Sequence, residues 1–396
     1  MRRTVGGSGK KRGAFIPFGK PNFSDREIAA VTRVLRSGWV GMGPETLAFE
    51  KELADYVGIP HMVTVNSCTS ALFLSLLALG VKAGDEVICP SFTWCSTANA
   101  ALYLGAKPVF CDIDPESFCV TPEYILAKVT PKTTAVIVVH FGGLAVDVKR
   151  LRALLPKKIS IVEDAAHAFG ARYPDGRMVG SSGNLTCFSF YANKNLSTGE
   201  GGAVALRDRR MAERLRSLRQ HGLSIDAWKR FIHPQTVLRS NQLTDLGYKM
   251  NYTDLQASLG RIQLARQVEF QKTRQRIADR YVERLSLLKI PLAFQRDGDH
   301  PSHSKHLFIL KFPLNGMKLS RNEILLRLRA KNIGACIHYD PLHMMPLYAG
   351  GGTPPALPMT EGVARSIITL PISSSMTVQD ADNVVDHLSN ILGGST

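Results

Sequence analysis

Short apolar runs bounded by turn residues recur between His61 and Leu206. Residues 61–66, 86–90, 108–112, 135–140, 160–164 and 186–191 have the length and the β-branched and aromatic content of buried strands. Amphipathic stretches separate them, so the pattern predicts an α/β domain with a mostly parallel sheet held between layers of helices. Ahead of the sheet, Ser24 and Glu27 have capping-box spacing. Ile28, Val31, Val34 and Leu35 then recur on one face until Gly38, which predicts a helix ended by glycine. Residues 253–288 predict one long helix, or two joined near Gly260, leading out of the sheet domain. A strand at 306–313 and helices at 321–331 and 378–392 follow. The expected organisation is a disordered basic tail over 1–15, a large α/β domain over 16–260 and a smaller C-terminal α+β domain over 261–396. The polar stretch 224–242 has no clear period and reads as a substrate-covering loop or an excursion of the chain.

A chain of 396 residues with 44% hydrophobic content is long enough for two such cores. The first fifteen residues carry Arg2, Arg3, Lys10, Lys11 and Arg12 among glycines and serines, with no apolar run for a secretory signal or a membrane span. Gly9-Lys10 lacks the preceding strand and following hydroxyl residue of a phosphate loop. Seven cysteines without paired spacing fit small buried residues in a reducing cytoplasm better than a disulfide framework. The net charge of +16 is spread along helices such as 209–219 and is not interleaved with aromatics, so no nucleic-acid partner is expected. The same diffuse positive field would attract a diphosphate substrate.

Ligands of open α/β sheets sit beyond the carboxyl ends of the strands, which directs attention to 67–70, 91–95, 164–167 and the segment after Phe190. Ser189-Phe190-Tyr191-Ala192-Asn193-Lys194 leads from a buried-looking strand toward the glycine cluster Thr198-Gly199-Glu200-Gly201-Gly202, an unusual address for a surface charge. A free lysine titrates near ~10.4, so only about one in a few thousand is a neutral nucleophile at pH 7. Joining Lys194 to an aldehyde cofactor removes that obstacle. Asp164, ending the apolar run Ile161-Val162-Glu163-Asp164, either caps the next helix or holds the proton on the ring nitrogen of pyridoxal phosphate. A charge-assisted bond of that kind is worth about 1.5–3 kcal/mol. His167 either touches the ring's phenolic oxygen or is a structural loop histidine. Cys68, Thr69 and Ser70 open an apolar helix, where small residues are either caps or neighbours of a bound phosphate. Ser189 is close enough in the chain to reach the same phosphate. Trp94 either stacks on the flat ring or packs in the core.

Taken in order, these residues resemble the DegT/DnrJ/EryC1/StrS sugar aminotransferases within the fold type I pyridoxal-phosphate (PLP) enzymes. The similarity runs from Phe18 to Leu392 and includes Ser37-Gly38-Trp39-Val40 with Gly43-Pro44, the segments 67–72, 90–97, 163–170, 189–202 and 247–257, and His338, Tyr339, Pro341, Leu342 and His343. The resemblance implies that Lys194 carries the cofactor, Asp164 pairs with its pyridine nitrogen, His167 neighbours the ring oxygen and Trp94 stacks on the ring. It also implies Thr69, Ser70 and Ser189 as phosphate ligands, with Cys68 beside them. A neighbouring subunit is expected to complete the phosphate site from 247–252, so a homodimer with shared active sites is implied. There Lys249 and Asn251 stand where many members have Asn and Arg. Tyr191 replaces the histidine of many members at a substrate contact, and His338 and His343 fall at the substrate pocket.

The expected reaction is transamination of a nucleotide-linked keto sugar, such as a 4-keto-6-deoxyhexose, with glutamate as donor. A sister group with dehydratase activity has histidine in place of the lysine, so Lys194 favours transamination. A keto cyclitol as acceptor, a dehydration on the same scaffold, or a non-catalytic PLP-binding regulator are the rival readings. His300, His303 and His306 are spaced like metal ligands, but they lie in a Pro/Ser-rich loop without a carboxylate pattern, and no metal is expected.

Overall fold

The computed structural model describes residues 14–223, 243, 245–296, 303–349 and 353–393. The basic run over 2–12, the stretch 224–242 and His300 lie outside the described residues. Seven strands form the main sheet: β1 (His61–Val65), β2 (Glu86–Pro90), β3 (Lys107–Cys111), β4 (Thr133–Val139), β5 (Ser160–Asp164), β6 (Leu185–Ser189) and β7 (Gly202–Leu206). Their order is β1-β7-β6-β5-β4-β2-β3. Only β7 runs against the others, pairing antiparallel with both β1 and β6. The strand pattern read from the sequence is present with small shifts at the ends. β7 was not expected, because its Gly-Ala-Val-Ala-Leu sequence has little β-branched content and follows a glycine cluster that reads as loop.

Alternate residues of each strand enter different cores, as the two-residue period of a strand requires. Met62, Ile88, Val136, Ile161 and Phe188 join one buried cluster, whereas Val63, Val87, Ile137, Val162 and Cys187 join the other. Both sheet faces are therefore covered, and each fully buried aliphatic or phenyl side chain contributes about 1.5–3 kcal/mol of transfer free energy. A third cluster gathers around the antiparallel sheet β10-β9-β8, formed by β8 (Ala293–Phe294), β9 (Phe308–Lys311) and β10 (Ile367–Leu370). Helices Arg321–Ala330 and Val378–Gly393 contribute to it, and Ile16 joins through a bridge to Ile333. No helix among the described residues is long and apolar enough to cross a membrane.

Helix α1 (Asp25–Ser37) has the expected capping box at Ser24 and ends at Gly38 in the left-handed region. Its buried face differs from the expected one: Glu27, Ala30 and Val34 point inward, whereas Ile28 and Leu35 are exposed. Helix α2 (Pro44–Val57) begins at Gly43, which has no side chain to cap it. Asp254 does so across the fold, its carboxylate accepting from the backbone N–H groups of Gly43 at 2.8 Å and Thr46 at 2.9 Å.

The segment predicted as one helix or two joined near Gly260 is two helices, Asp254–Ala265 and Gln267–Leu285, and they part at Arg266 rather than at Gly260. The Arg266 guanidinium reaches the buried Glu27 at 3.0 Å and Asn22 at 3.0 Å, contacts that hold the break in place. Gly260 lies inside the first helix because Phe49 of α2 packs onto it. A Cβ there would stand 2.4 Å from the Phe49 ring. Gly260→Ala should therefore lower unfolding free energy by roughly 1–3 kcal/mol through overpacking, despite the helix propensity of alanine. A urea melt in which the variant equals or exceeds the parent would contradict this close packing.

Candidate active site

The parallel strands deliver their carboxyl ends to one edge of the sheet, where a cavity of about 430 Å³ opens. Small-molecule sites span roughly 300–1,000 Å³. Residues following β1, β2, β5 and β6 line it, and His338 and Tyr339 close it from the C-terminal side.

Lys194 sits in a turn after β6. Its backbone N–H donates to the Tyr191 carbonyl at 2.9 Å, and the Thr198 N–H returns to Phe190 at 2.9 Å. Phe190 and Leu196 are fully buried, so the turn is anchored in the core while the amine reaches the cavity. Loss of hydration disfavours the ammonium, and burial pushes Lys194 down to about 8. Asp164 ends β5 in register between Val139 of β4 and Cys187 of β6. Its Oδ2 accepts from the Thr97 hydroxyl at 2.7 Å and its Oδ1 from the Ala166 N–H at 3.1 Å. Burial raises its pKa against those two bonds and the nearby Lys194 charge. A cationic group brought into the cavity would stabilise this carboxylate.

His167 accepts the Gly142 N–H on Nδ1 at 3.4 Å, so its proton sits on Nε2, which faces the Tyr339 hydroxyl at 3.2 Å. Burial holds the ring neutral, well below the usual histidine range. Helix α3 (Cys68–Ala78) points its N-terminus at the cavity. Ser67 caps it by accepting the Ser70 N–H at 3.1 Å, and the first-turn N–H groups of Cys68 and Thr69 have no intrahelical acceptor. Gly202 lets β7 lie against this turn, since a Cβ there would stand 2.6 Å from the Cys68 nitrogen.

The expected site residues divide into three groups. Cys68, Thr69, Trp94, Asp164, His167, Ser189, Tyr191, Lys194 and His338 all line the cavity. Trp94 is 59% exposed at its wall, which removes the core-packing alternative for this side chain. Ser70 does not line the cavity: its hydroxyl donates to Asn66 Oδ1 at 2.6 Å, four residues back across the capped turn. His343 is buried outside the lining, its Nδ1 2.7 Å from the Ser91 hydroxyl. Lys249 and Asn251 likewise lie away from the cavity of their own chain.

Sequence reasoning missed Thr97, Tyr339 as a partner of His167, and His306, whose Nε2 lies 3.5 Å from Lys194 Nζ. Thr97 reads as an ordinary helix residue, and His306 is over a hundred positions from the lysine. His303 and His306 serve different partners, Gln295 and Asn195, and no cluster of metal-type ligands occurs among the described residues.

The donor set fits PLP. A buried acid suits a pyridinium nitrogen, an Nε2–H suits a phenolate, an exposed indole suits a flat ring, and a helix N-terminus beside Thr69 and Ser189 suits a phosphate. A half-buried lysine with a lowered pKa and a buried acid at the carboxyl edge of such a sheet define a PLP transferase of fold type I. The profile of the DegT/DnrJ/EryC1/StrS aminotransferase family matches residues 21–389. The chain is 40% identical over 391 residues to the spore coat polysaccharide biosynthesis protein SpsC of Bacillus subtilis, covering 98% of this chain and 99% of SpsC. The solved aminotransferase TlmJ from Streptoalloteichus hindustanus is similar with a TM-score of 0.87 and 32% identity, over 96% of this chain and all 100% of TlmJ. Spr1654 of Streptococcus pneumoniae, solved in a PLP form and a PMP form, has a TM-score of 0.87 with 29% and 30% identity, over 96% of this chain and 99% and 98% of the two Spr1654 chains. The chain belongs to the DegT/DnrJ/EryC1/StrS aminotransferase family. It is an aminotransferase, and its cofactor is PLP.

The lysine's environment sets a pH dependence. Only the neutral amine attacks an aldehyde, so PLP uptake by the cofactor-free protein should accelerate through a midpoint near pH 8 and slow as the amine is protonated below it. Stopped-flow absorbance across pH reads this. A midpoint near the ordinary lysine value of 10.5 would contradict the burial argument.

Proposed function

We propose that the enzyme transfers an amino group from glutamate to a nucleotide-linked keto sugar, such as a 4-keto-6-deoxyhexose. The observation that carries the proposal is a single cavity holding the Lys194 amine and the Asp164 carboxyl beneath a rim of exposed aromatic side chains, Trp94 and Tyr191. Aromatic faces suit sugar and base rings, and the net charge of +16 favours approach of a diphosphate. The spore coat polysaccharide role in the name of SpsC supports a sugar acceptor.

PLP supplies a reversible amine-exchange centre and a cationic ring that accepts electron density. Asp164 keeps a proton on the ring nitrogen, with Thr97 fixing the carboxylate plane. His167 donates from Nε2 to the ring oxygen. Thr69 and Ser189, with the first turn of α3, hold the phosphate. Lys194 carries the cofactor at rest and, once released, moves a proton through Nζ from the donor carbon and later to the acceptor carbon. Tyr191 and His338 border the space left for the acceptor. Tyr339 covers the His167 side against water.

The assembly we propose is a homodimer in the cytoplasm. Apolar side chains left in solvent by the single chain, Ile28, Leu35, Leu243 and Leu246, support it, and Lys249 and Asn251 then face the partner's phosphate site. Sedimentation velocity should give twice the mass of one chain, and a monomer would contradict shared sites.

Lys194→Ala should abolish both turnover and the visible absorbance of the lysine-bound cofactor. Asp164→Ala should keep that absorbance while losing at least about a hundredfold in kcat, the usual scale for removing one electrostatic stabiliser. Full activity in either variant would defeat these assignments. The acceptor is tested with glutamate and a panel of UDP-, GDP- and dTDP-linked keto sugars and keto cyclitols, with products identified by mass and NMR. Amination of cyclitols alone, a dehydrated product, or no half-reaction with any amino acid would each overturn the proposed substrate.

A further inference from the structure

Asn195 follows Lys194 in the chain, and its side chain is buried beneath the cavity floor. Its Nδ2 donates to the Ser304 carbonyl at 2.8 Å and to the Phe169 carbonyl at 3.4 Å. Carbonyl oxygens only accept, so this amide cannot flip without losing both bonds, and Oδ1 is left facing His306 Nδ1 at 3.0 Å. That oxygen also only accepts. The ring proton of His306 therefore sits on Nδ1, and Nε2 presents a bare lone pair, 3.5 Å from Lys194 Nζ.

The ring is clamped as well as tautomerically set. It lies against His167 with centroids 4.5 Å apart and planes inclined by 34°, and Arg274 grips the carbonyls of Lys305 and His306 from behind. The other ionisable groups acting on the lysine amine are Asp164, Cys68 and Arg274, and those acting on His306 include Lys194, His167, Arg274 and His338. Burial keeps His306 uncharged, so it acts as an acceptor and not as a proton store.

We propose that His306 is a positioning residue for Lys194: its Nε2 takes one N–H of the released amine and so turns the amine's lone pair toward the cavity. A neutral amine has two N–H bonds and a single lone pair. With one N–H directed at a fixed acceptor, the amine loses rotational freedom that proton transfer would otherwise have to restrict in the transition state. The proposal rests on Lys194 being the proton carrier. It gives the C-terminal unit, which supplies His306, a direct hold on the lysine.

The wild-type protein provides the first test. Ring ¹⁵N NMR of the cofactor-free full chain should show His306 as the Nδ1–H tautomer, and the Nε2–H tautomer would overturn the proposal. The second test compares His306→Phe, which keeps a flat ring against His167, with His306→Gln, which restores an acceptor. In the PLP-loaded enzyme the phenylalanine variant should lose about a hundredfold in kcat, the scale of a small misplacement, with KM for both substrates unchanged and part of the loss recovered by glutamine. In the cofactor-free chain, acetic anhydride labelling of Lys194, read by mass spectrometry against pH, should have its midpoint shifted downward in His306→Phe, because the ammonium loses an acceptor. Wild-type kcat in His306→Phe, or a kcat loss with an unchanged labelling profile and no recovery by glutamine, would reduce His306 to scaffold and sink the proposal. Borohydride reduction of the loaded enzyme, followed by peptide mapping, separately identifies the lysine that carries PLP. Its result distinguishes failure of this inference from failure of the Lys194 assignment.

Discussion

An amine and a carboxyl group are both withdrawn from water at the same edge of one sheet, and the rest of the molecule is arranged around that constraint. Burial penalises the charged form of each, at a cost on the order of several kcal/mol per ion before compensation. Thr97 and the Ala166 N–H offset part of this for Asp164, and the remaining demand for a positive neighbour faces the cavity. Lys194 meets the same burial by shedding its proton more readily. In the function we propose, a bound cationic ring answers the acid and covalent attachment answers the amine.

The sheet does more than hold these two groups. Because six of its seven strands run in one direction, the ends of β1, β2, β5 and β6 converge on one crevice, and each adds a different functional group there. The reversed strand β7 has a separate use: its first residue, Gly202, packs against the opening turn of α3 and fixes where that helix N-terminus points. From the junction with the chain around β9 and beyond, His338 and Tyr339 then close the cavity and His306 backs the lysine. Histidine tautomers across this junction are assigned by neighbours that can act in only one sense, the Gly142 N–H for His167 and the Asn195 oxygen for His306.

Much of this is legible in the amino-acid sequence. The six strands carrying a clear apolar signal were readable to within a few residues, as were the capped ends of α1 and the placement of Lys194 and Asp164 at strand ends. What escaped had weak local signals. β7 is built from small residues and becomes a strand because β1 and β6 flank it. The kink at Arg266 depends on a carboxylate from α1, and Gly260, which reads as a breaker, is instead a contact surface for Phe49. Ser70 and His343 show the converse: each stands in a suggestive motif, but the sequence does not show that the Asn66 amide and Ser91 respectively engage their polar atoms.

The sequence by itself determined the alternation of strands and helices, the chemical types available at the strand ends and the family to which the chain belongs, because hydrophobic period and motif order are properties of neighbouring residues. Tertiary structure decided which atoms meet: that Thr97 holds Asp164, that Asp254 caps a helix two hundred residues away, and that His306 stands behind Lys194. Such pairings depend on angles and distances of a few tenths of an ångström between segments remote in the chain. Hydrogen bonds are directional and charges are costly to bury, so those small differences select the partners, and no local pattern encodes them.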